Sequence, residues 1–256
     1  ASTRYRGLIP SRWLATRGYV QTIVSAEEPE AALAAATNAD VVIFSKSNQP
    51  SNEDILAAAQ HAGAKVIVDL CDLKFGPGAK GDHYRAMAAR ADSLVANTRE
   101  MAAAIHAAAS RVVTVIGDPY EGPKGEPEWK WQPGRRIEAL WFGHPTNLDT
   151  LEWLLPQLAT RKSDVALSVR ICTKVTAGVE EECRRFNRAS GNRVKVYFVP
   201  WSVEQVWQEL HKTDLVLLPS RVDVGQKEVK SPNRLIESIW AGRFVLASPL
   251  PAYREF

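Results

Sequence analysis

Short apolar runs alternate with longer amphipathic segments along most of the chain. The runs rich in valine, isoleucine and leucine are typical of strands that are buried on both faces of a parallel sheet. The intervening segments repeat apolar residues at helical spacing, as helices that cover such a sheet do. The pattern predicts strands near 19–25, 40–45, 65–71, 92–97, 112–117, 137–142, 166–172, 194–199, 214–218 and 244–248, and helices near 7–17, 28–37, 52–63, 81–90, 98–109, 147–160, 178–188, 202–211 and 232–241. We expect Asp82 and Thr98 to cap the fourth and fifth of these helices.

One segment interrupts the alternation. Residues 119–134 contain four prolines and three glycines without a helical or strand period, which is typical of a connection between domains. We therefore expect an α/β protein with two Rossmann-like lobes at 1–119 and 135–256, joined by a linker at 120–134. Their parallel sheets are expected to face each other across a cleft, with ligands at the carboxyl ends of the strands.

The second predicted lobe is short at its end. Only residues 249–256 follow the last predicted strand, so the helices that would cover that strand are missing. We therefore expect either that the chain is a fragment that lacks its natural C-terminal helices or that its natural end is disordered.

Composition narrows the class of protein. The net charge is only +3 and the basic residues are scattered, so we expect no nucleic-acid partner, while peripheral contact with an anionic membrane is compatible with this charge. No run approaches the roughly 20 apolar residues of a membrane span. Three cysteines without a C-x-x-C pair favour a reducing compartment, and we expect a cytoplasmic protein. No Asp-x-Asp motif is present, so neither a metal ion nor another cofactor is expected.

The last predicted helix carries the most suggestive polar residues. Ser231 and Pro232 predict a helix start, which places Asn233 and Arg234 in the first turn and Glu237 one turn later. Backbone N–H groups there, with Lys230 and Arg234, suit a phosphate, and a carboxylate one turn deeper suits a ribose diol. The alternative is a surface helix in which Glu237 pairs with Arg234. In either case the expected buried stripe is Leu235, Ile236, Ile239 and Trp240.

Three motifs in this region occur in the order found in one enzyme family. They are Thr213–Ser220 (TDLVLLPS), Glu237–Val245 (ESIWAGRFV) and Ser248–Glu255 (SPLPAYRE). Together they resemble the last third of GT-B-fold glycosyltransferases of the family 4, or group 1, kind. Looser similarities at Arg4–Arg6, 18–20, Ala91–Thr98, Val115–Pro119 and Leu140–Gly143 extend the resemblance over nearly the whole chain.

The resemblance implies roles for individual residues. Glu237 would bind the ribose of a nucleotide-sugar donor. The diphosphate would be held by Lys230, Ser231, Asn233 and Arg234, with Gly143 and His144 at the tip of a strand. Ala252 and Tyr253 would contact the donor sugar or its phosphate, and Arg4 and Arg6 would contact acceptor or donor phosphates. The implied activity is metal-independent transfer of the sugar to a glycan, lipid or small-molecule acceptor with retained anomeric configuration.

Two features depart from the family pattern. The first glutamate of the family's Glu-x7-Glu pair would fall at Val229, and Glu228 is one place off. The family's basic pair after the glycine-ended strand is replaced by His144 and Pro145, which leaves Lys230 and Arg234 to supply the positive charge. These departures keep two alternatives open: a non-catalytic nucleotide-sugar-binding or scaffolding module, and a GT-B sugar-nucleotide epimerase.

The first lobe offers one candidate catalytic group. Asp72 follows a predicted strand and suits either an acceptor-hydroxyl contact or a general base, although a carboxylate that caps the following loop is an equal alternative. Asp69 is expected to be structural. Residues 76–81 match G-x-G-x-x-G, but an acidic residue does not end the next strand, so a dinucleotide site is not expected. Trp129 and Trp131 are expected to pack into a lobe interface, with sugar stacking as the alternative.

Overall fold

The computed structural model describes residues 3–129, 132–160, 165–190, 193–220 and 229–256. Contacts among these residues divide the chain into two compact units. The first unit comprises 3–119 together with 229–231, and the second comprises 120–220 together with 232–256. The short segment 229–231 thus belongs to the first unit although both of its flanks in the described chain belong to the second.

The first unit is a parallel sheet with connecting helices. The π-helical segment Thr3–Leu8 runs into α1 (Ile9–Ala15), and the order continues with α2 (Pro29–Ala36), β1 (Val41–Ser45), α3 (Asn52–His61), β2 (Lys65–Leu70), α4 (Ala79–Arg90), β3 (Ser93–Ala96), α5 (Arg99–Ala109) and β4 (Thr114–Val115). The strands lie side by side in the order β1-β2-β3-β4. Asp69 is in register with Ser45 on one side and with Val95 on the other. The carboxyl ends of all four strands therefore meet at one edge.

The core of the first unit forms where three helices cover the sheet. Leu56 on α3, Met87 on α4 and Ile105 on α5 are buried against Val68 and Leu94 of the strands. Burial of one such side chain stabilises the folded state by roughly 1.5–3 kcal/mol. This core holds the strand ends in fixed register, which is what a site at their carboxyl edge requires.

Three sequence predictions for this unit are wrong. Residues 19–25 form neither strand nor helix, and Val20 and Ile23 are exposed, because a strand needs a neighbour that these residues do not have. The strand predicted at 112–117 is confined to Thr114–Val115. Gly78, not Asp82, is the N-cap of α4. The Thr98 cap is confirmed, since its Oγ1 accepts a hydrogen bond from the Met101 N–H at 3.0 Å.

The second unit is also a parallel sheet. Its order is β5 (Ile137–Phe142), a 3₁₀ turn (Pro145–Asn147), α6 (Asp149–Thr160), β6 (Leu167–Thr173), α7 (Val179–Ser190), β7 (Val194–Pro200), α8 (Val203–Lys212), β8 (Leu215–Leu218), α9 (Asn233–Trp240), β9 (Phe244–Ala247) and a 3₁₀ turn (Pro251–Tyr253). The strands lie in the order β7-β6-β5-β8-β9. The chain runs outward from β5 to β7 and then returns to place β8 on the other side of β5. The carboxyl ends of β5 and β8 therefore flank a topological switch point.

Alternate residues of β5 supply two separate apolar layers. Trp141 packs with residues of α6 and α7 on one face of the sheet, and Leu140 and Phe142 pack with α8 and α9 on the other. Successive side chains of a strand point to opposite faces, so a continuous apolar run is the expected sequence of a strand covered on both sides. The apolar run at 139–142 is thereby explained.

Residues 120–129 pack against the second unit's own helices. The Tyr120 and Trp240 rings lie 4.2 Å apart, and the Trp240 indole N–H donates to the Gly122 carbonyl at 3.1 Å. Trp129 meets Phe244 edge to face at 5.2 Å, so this tryptophan packs within the second unit. Trp131 lies outside the described residues. This segment thus fixes α9 and β9 from their outer side.

Of the helices within the described ranges, none combines the length and the apolar character that crossing a bilayer requires.

Candidate functional site

The first turn of α9 lies against the carboxyl end of β5. Arg234 Nη1 donates to the Phe142 carbonyl at 3.2 Å, which joins the helix to the last residue of the strand. A side chain at position 143 would approach both Arg234 Nη1 and the Trp141 ring to 3.2 Å. Glycine at 143 therefore lets the guanidinium close against the strand end. The structure thus brings Gly143 and Arg234 together at the switch point. The phosphate contacts predicted for both residues stay predictions.

His144 follows directly and is oriented by its neighbour. Its Nδ1 lies 3.3 Å from the Thr146 N–H, from which it accepts, and 2.9 Å from the Thr146 hydroxyl. Because Nδ1 is an acceptor, the neutral ring carries its proton on Nε2. His144 is exposed, so this N–H donor is accessible at the same strand tip.

The polar face of α9 is buried. Glu237 is 6% exposed, and Ser238 is fully buried with its hydroxyl donating to the Arg234 carbonyl at 2.6 Å. The predicted apolar stripe is correct for Leu235 but wrong for Ile239, which is 46% exposed. A buried carboxylate in the second turn is costly unless it is hydrogen-bonded or meets a ligand. A helix whose polar residues are merely solvated is therefore excluded for Glu237.

The residues just before α9 are placed differently from the prediction. Pro232, not Ser231, is the N-cap of α9, and it makes no side-chain cap. The Ser231 hydroxyl instead donates to Asp118 Oδ2 at 2.6 Å within the first unit. Val229 is 8% exposed in the core of that unit, and Lys230 is exposed. Glu228 lies outside the described residues. The phosphate contacts predicted for Lys230 and Ser231 stay predictions.

Ala252 and Tyr253 form the short turn after β9. Ala252 is buried, and Tyr253 packs on the apolar layer that contains Phe142 and Leu235. The Tyr253 N–H donates to the Leu250 carbonyl at 2.9 Å, so the turn is closed by its own backbone. This turn follows β9 at the same edge of the sheet at which α9 begins.

In the first unit, Arg6 is the centre of a buried ionic network. Its guanidinium donates to both oxygens of Asp69 at 2.6 and 2.8 Å, to Asp118 Oδ1 at 3.1 Å and to the Ile116 carbonyl at 2.7 Å. Burial alone would lower the pKa of Arg6, but the hydrogen bonds and charges of Asp69 and Asp118 outweigh burial and raise it. Asp69 also accepts from the Ser45 hydroxyl at 3.1 Å. The expectation that Asp69 is structural agrees with these contacts.

Arg4 lies two residues earlier in the same π-helical segment. Its Nη2 donates to the Tyr5 hydroxyl at 2.7 Å, and its guanidinium lies 4.5 Å from the centre of the Tyr5 ring. Both arginines that the sequence linked to phosphate are thus held by groups of their own unit. Arg6 in particular ties the N-terminal segment to the ends of β2 and β4.

A second ion pair lies at the ends of β1 and β2. Lys46 Nζ is 2.8 Å from Asp72 Oδ2, and the two side chains are 46% and 31% exposed. Burial lowers the pKa of Lys46, but the hydrogen bond and charge of Asp72, together with Cys71, outweigh burial and raise it. Asp72 therefore bonds a lysine across the sheet edge. Sequence reasoning missed Lys46, whose only available signal was its position directly after a predicted strand.

Within the described residues, no group of three or more His, Cys, Asp or Glu is arranged to hold a metal ion.

Comparisons with known proteins show the fold. Neither models of protein families nor curated protein sequences give a match to this chain. Among solved structures, HepE of Anabaena in complex with UDP and glucose is 17% identical, with a TM-score of 0.58 over 92% of this chain and 67% of that one. A glycosyltransferase from Rickettsia africae is 12% identical, with a TM-score of 0.63 over 100% of this chain and 78% of that one.

A third similar structure is the apo form of the lipopolysaccharide outer core galactosyltransferase WaaB, with 16% identity and a TM-score of 0.56. This match covers 88% of our chain and 62% of WaaB. The chain thus spans between 62% and 78% of the length of these three structures. Two parallel α/β sheets with these likenesses show that the chain has the GT-B fold of glycosyltransferases.

Proposed function

We propose that this chain is a glycosyltransferase that binds a nucleotide-sugar at the carboxyl edge of its second sheet. The observation that carries the proposal is the contact of the first turn of α9 with the end of β5, at the switch point of the sheet. Open α/β sheets bind ligands at such points. Similar structures support the nucleotide-sugar class of ligand, since HepE was solved with UDP-glucose and with UDP.

Different residues at this edge bind different parts of the nucleotide-sugar donor. The buried carboxylate of Glu237 accepts hydrogen bonds from the ribose hydroxyls. The diphosphate lies at the start of α9, where backbone N–H groups, Asn233 and Arg234 favour negative charge. His144 donates from Nε2, and Ala252 with Tyr253 bounds the sugar.

Positive charge at the diphosphate has a chemical purpose. Transfer breaks the bond between the anomeric carbon and a diphosphate oxygen and the O–H bond of the acceptor hydroxyl, and it forms a bond from that carbon to the acceptor oxygen. The proton of the acceptor passes to the departing diphosphate or to water. Negative charge therefore grows on the departing diphosphate, and Arg234 is placed to stabilise it. In the proposal no metal ion is required for this role, and retention of the anomeric configuration follows the family resemblance.

Removing the Glu237 carboxylate tests the donor site. We expect Glu237→Ala to weaken UDP binding by about 1–3 kcal/mol, the cost of leaving ribose hydroxyls unpaired, as measured by isothermal titration calorimetry. Glu209→Ala is the matched control, because Glu209 is a glutamate of the same unit with 5% exposure that bonds Gln205 and Arg170.

The two variants distinguish a specific loss of UDP binding from a general loss of folding stability. Both lose a buried carboxylate, so both are expected to lower the free energy of unfolding, but only Glu237→Ala is expected to raise the dissociation constant. If UDP binds folded Glu237→Ala as tightly as it binds the parent chain, the assignment of this site is wrong.

One observation favours a second candidate function, a module that binds nucleotide-sugars without turnover. Val229, at the position of the family's first glutamate, is a core residue of the first unit and offers no carboxylate to a sugar. Release of UDP from a UDP-sugar, measured with and without candidate acceptors, distinguishes the two functions. Binding without release supports the module, and acceptor-dependent release supports the transferase.

A further inference from the structure

Residues 8–20 carry an exposed surface that the proposed donor site does not use. They belong to α1 and its two flanks, within the first unit. Val20 is 97% exposed and Trp13 is 56% exposed, which is unusual because tryptophan is highly buried on average. We call this region the N-terminal surface, and its exposed side chains are Leu8, Arg12, Trp13, Arg17, Tyr19 and Val20.

The turn at the end of α1 keeps these side chains together. The Gly18 N–H donates to the Ala15 carbonyl at 3.1 Å, and the Tyr19 N–H donates to the Leu14 carbonyl at 3.3 Å. Since Gly18 has a φ of +84°, this pair of bonds is a Schellman motif, which closes a helix and holds the next residues beside its last turn. Tyr19 and Val20 therefore stay next to α1.

The two arginines of this surface are available to a partner. The Arg17 guanidinium lies 4.6 Å from the centre of the Trp13 ring, one helical turn away. Within the part of the chain that the structure describes, neither Arg12 nor Arg17 forms an ion pair with a carboxylate, in contrast to Arg6. The surface therefore presents two uncompensated cations beside apolar side chains.

The positive charge of the protein is concentrated in the same part of the sequence. Residues 1–26 contain four arginines and neither aspartate nor glutamate, whereas the rest of the chain has 28 basic and 29 acidic side chains. The excess of positive charge therefore comes entirely from the first 26 residues. Since Arg12 and Arg17 are exposed there, the N-terminal surface is complementary in charge to an anionic partner.

The apolar side chains decide which anionic partner fits. At a membrane interface, tryptophan and tyrosine rings lie at the level of the headgroups, aliphatic side chains reach the acyl chains, and arginines bind phosphates. A single-stranded nucleic acid would stack its bases on the two rings, but it offers no comparable contact to Leu8 and Val20. A second copy of the chain would bring like charges together across a symmetric contact. A lipid surface thus uses all six side chains.

We infer that the N-terminal surface docks the protein on an anionic lipid bilayer. Arg12 and Arg17 lie at the headgroup phosphates, and Trp13, Tyr19 and Val20 enter the interface between headgroups and acyl chains. The inference goes beyond the proposed donor site and does not depend on UDP binding. Two cations and a few apolar side chains give reversible binding that salt weakens, unlike the insertion of a membrane-spanning helix.

Sedimentation with vesicles measures this binding directly. The full chain is mixed with vesicles of phosphatidylcholine alone, or of phosphatidylcholine with phosphatidylglycerol, at low and at high salt. We expect roughly thirtyfold tighter binding to the anionic vesicles, since each arginine near such a surface strengthens binding about fivefold. At about 1 M salt, where the screening length is about 3 Å, this preference is expected to disappear.

A double variant, Arg12→Gln with Arg17→Gln, removes both cations of the surface. It is expected to bind anionic vesicles roughly thirtyfold more weakly than the parent chain. Lys80→Gln with Arg90→Gln is the matched control, because it removes two exposed cations from α4 of the same unit. The control is expected to bind as the parent chain does, since charges away from the docked surface are screened.

The apolar contribution is tested without a change of charge. Trp13→Ser and Val20→Ser are each expected to weaken binding about fivefold, because the exposed part of each side chain no longer enters the interface. Trp153→Ser is the control, since Trp153 is 59% exposed on α6 and is expected to stay in water. Lipids brominated near the headgroup should quench tryptophan fluorescence in the parent chain and not in Trp13→Ser. The substituted side chains are exposed, so circular dichroism is expected to match the parent chain.

Three results would overturn the inference. The first is equal binding to neutral and anionic vesicles, or binding by the double arginine variant that equals that of the parent chain. The second is tighter binding of single-stranded polyuridylate than of anionic vesicles, which would assign the surface to nucleic acid. The third is a dimer in sedimentation equilibrium that Val20→Ser disrupts. UDP affinity of the double arginine variant is expected to be unchanged, so this inference and the proposed function fail separately.

Discussion

At the scale of single residues, a basic side chain whose N–H groups already bond to its own fold is not available to bind a phosphate. Arg6 donates four hydrogen bonds of 3.1 Å or shorter to Asp69, Asp118 and Ile116. Removing one partner of such a buried pair costs more than the pair contributes, because the other charge stays buried and uncompensated. A basic residue near a predicted site is thus a candidate for phosphate binding only when the structure leaves its N–H groups available.

The order in which the three cysteines react is a second prediction about single residues. Burial, together with the charge of Glu209, raises the pKa of Cys172 to about 12, and burial with nearby glutamates raises the pKa of Cys183. A raised pKa keeps both thiols protonated at pH 8, and the thiol is much less nucleophilic than the thiolate. Cys71 is only partly buried. We therefore expect a thiol reagent such as 5,5′-dithiobis(2-nitrobenzoate) to modify Cys71 first in the folded chain.

The control is the same titration in urea, in which all three thiols are expected to react. Cys71→Ser should abolish the rapid phase and leave the slow phases unchanged. A rapid phase that persists in Cys71→Ser would show that Cys172 or Cys183 is more accessible than the structure indicates.

At the scale of elements, the turn between α9 and β9 depends on a glycine. Gly242 has a φ of +71°, and a side chain there would collide with the Glu126 carbonyl. The segment 120–129 approaches this turn closely, with Arg243 Nη2 donating to the same carbonyl at 2.9 Å. The linker prediction from proline and glycine content could not anticipate this packing, because it depends on residues more than a hundred positions away.

Gly242→Ala tests how tightly this segment holds the turn. The left-handed conformation alone costs roughly 1–2 kcal/mol for a non-glycine residue, and overpacking adds about 1–3 kcal/mol. Gly134→Ala is the matched control, since Gly134 has a φ of +85° and a side chain there meets open space. Urea unfolding is expected to show a larger loss of stability for Gly242→Ala. Equal losses of stability in the two variants would mean that the segment 120–129 moves to make room for the new side chain without destabilising the fold.

The helices and strands also show which parts of the fold could be predicted from the sequence. The hydrophobic pattern located most strands and helices, because burial on both faces of a parallel sheet leaves a local signature. It failed at 19–25, where the apolar residues are present but the neighbouring strand is not. At the candidate site, Arg234 was predicted from its place in the first turn of the last predicted helix, and Gly143 from the looser family resemblance at Leu140–Gly143. The Ser231–Asp118 bond joins residues 113 positions apart and leaves no local signature.

At the scale of the whole molecule, the two units have separate cores. The first has one apolar cluster around Leu56, and the second has two layers that share β5. The tryptophans are distributed unequally: of eight in the chain, only Trp13 precedes residue 120. Trp141 is fully buried in the second unit. Tryptophan fluorescence therefore reports almost entirely on the second unit, whereas helical circular dichroism reports on both.

This difference allows a test of whether the units unfold separately. Leu56 is fully buried, and Leu56→Ala is expected to destabilise the first unit by about 2–5 kcal/mol, since it leaves a cavity in the core. If each unit relies on its own core, the circular-dichroism transition in urea splits, and the fluorescence transition stays at the parent midpoint. Leu155→Ala, in the second unit's core, is the converse control and should move the fluorescence transition. A fluorescence midpoint that shifts with Leu56→Ala would instead show that the two units unfold as one cooperative structure.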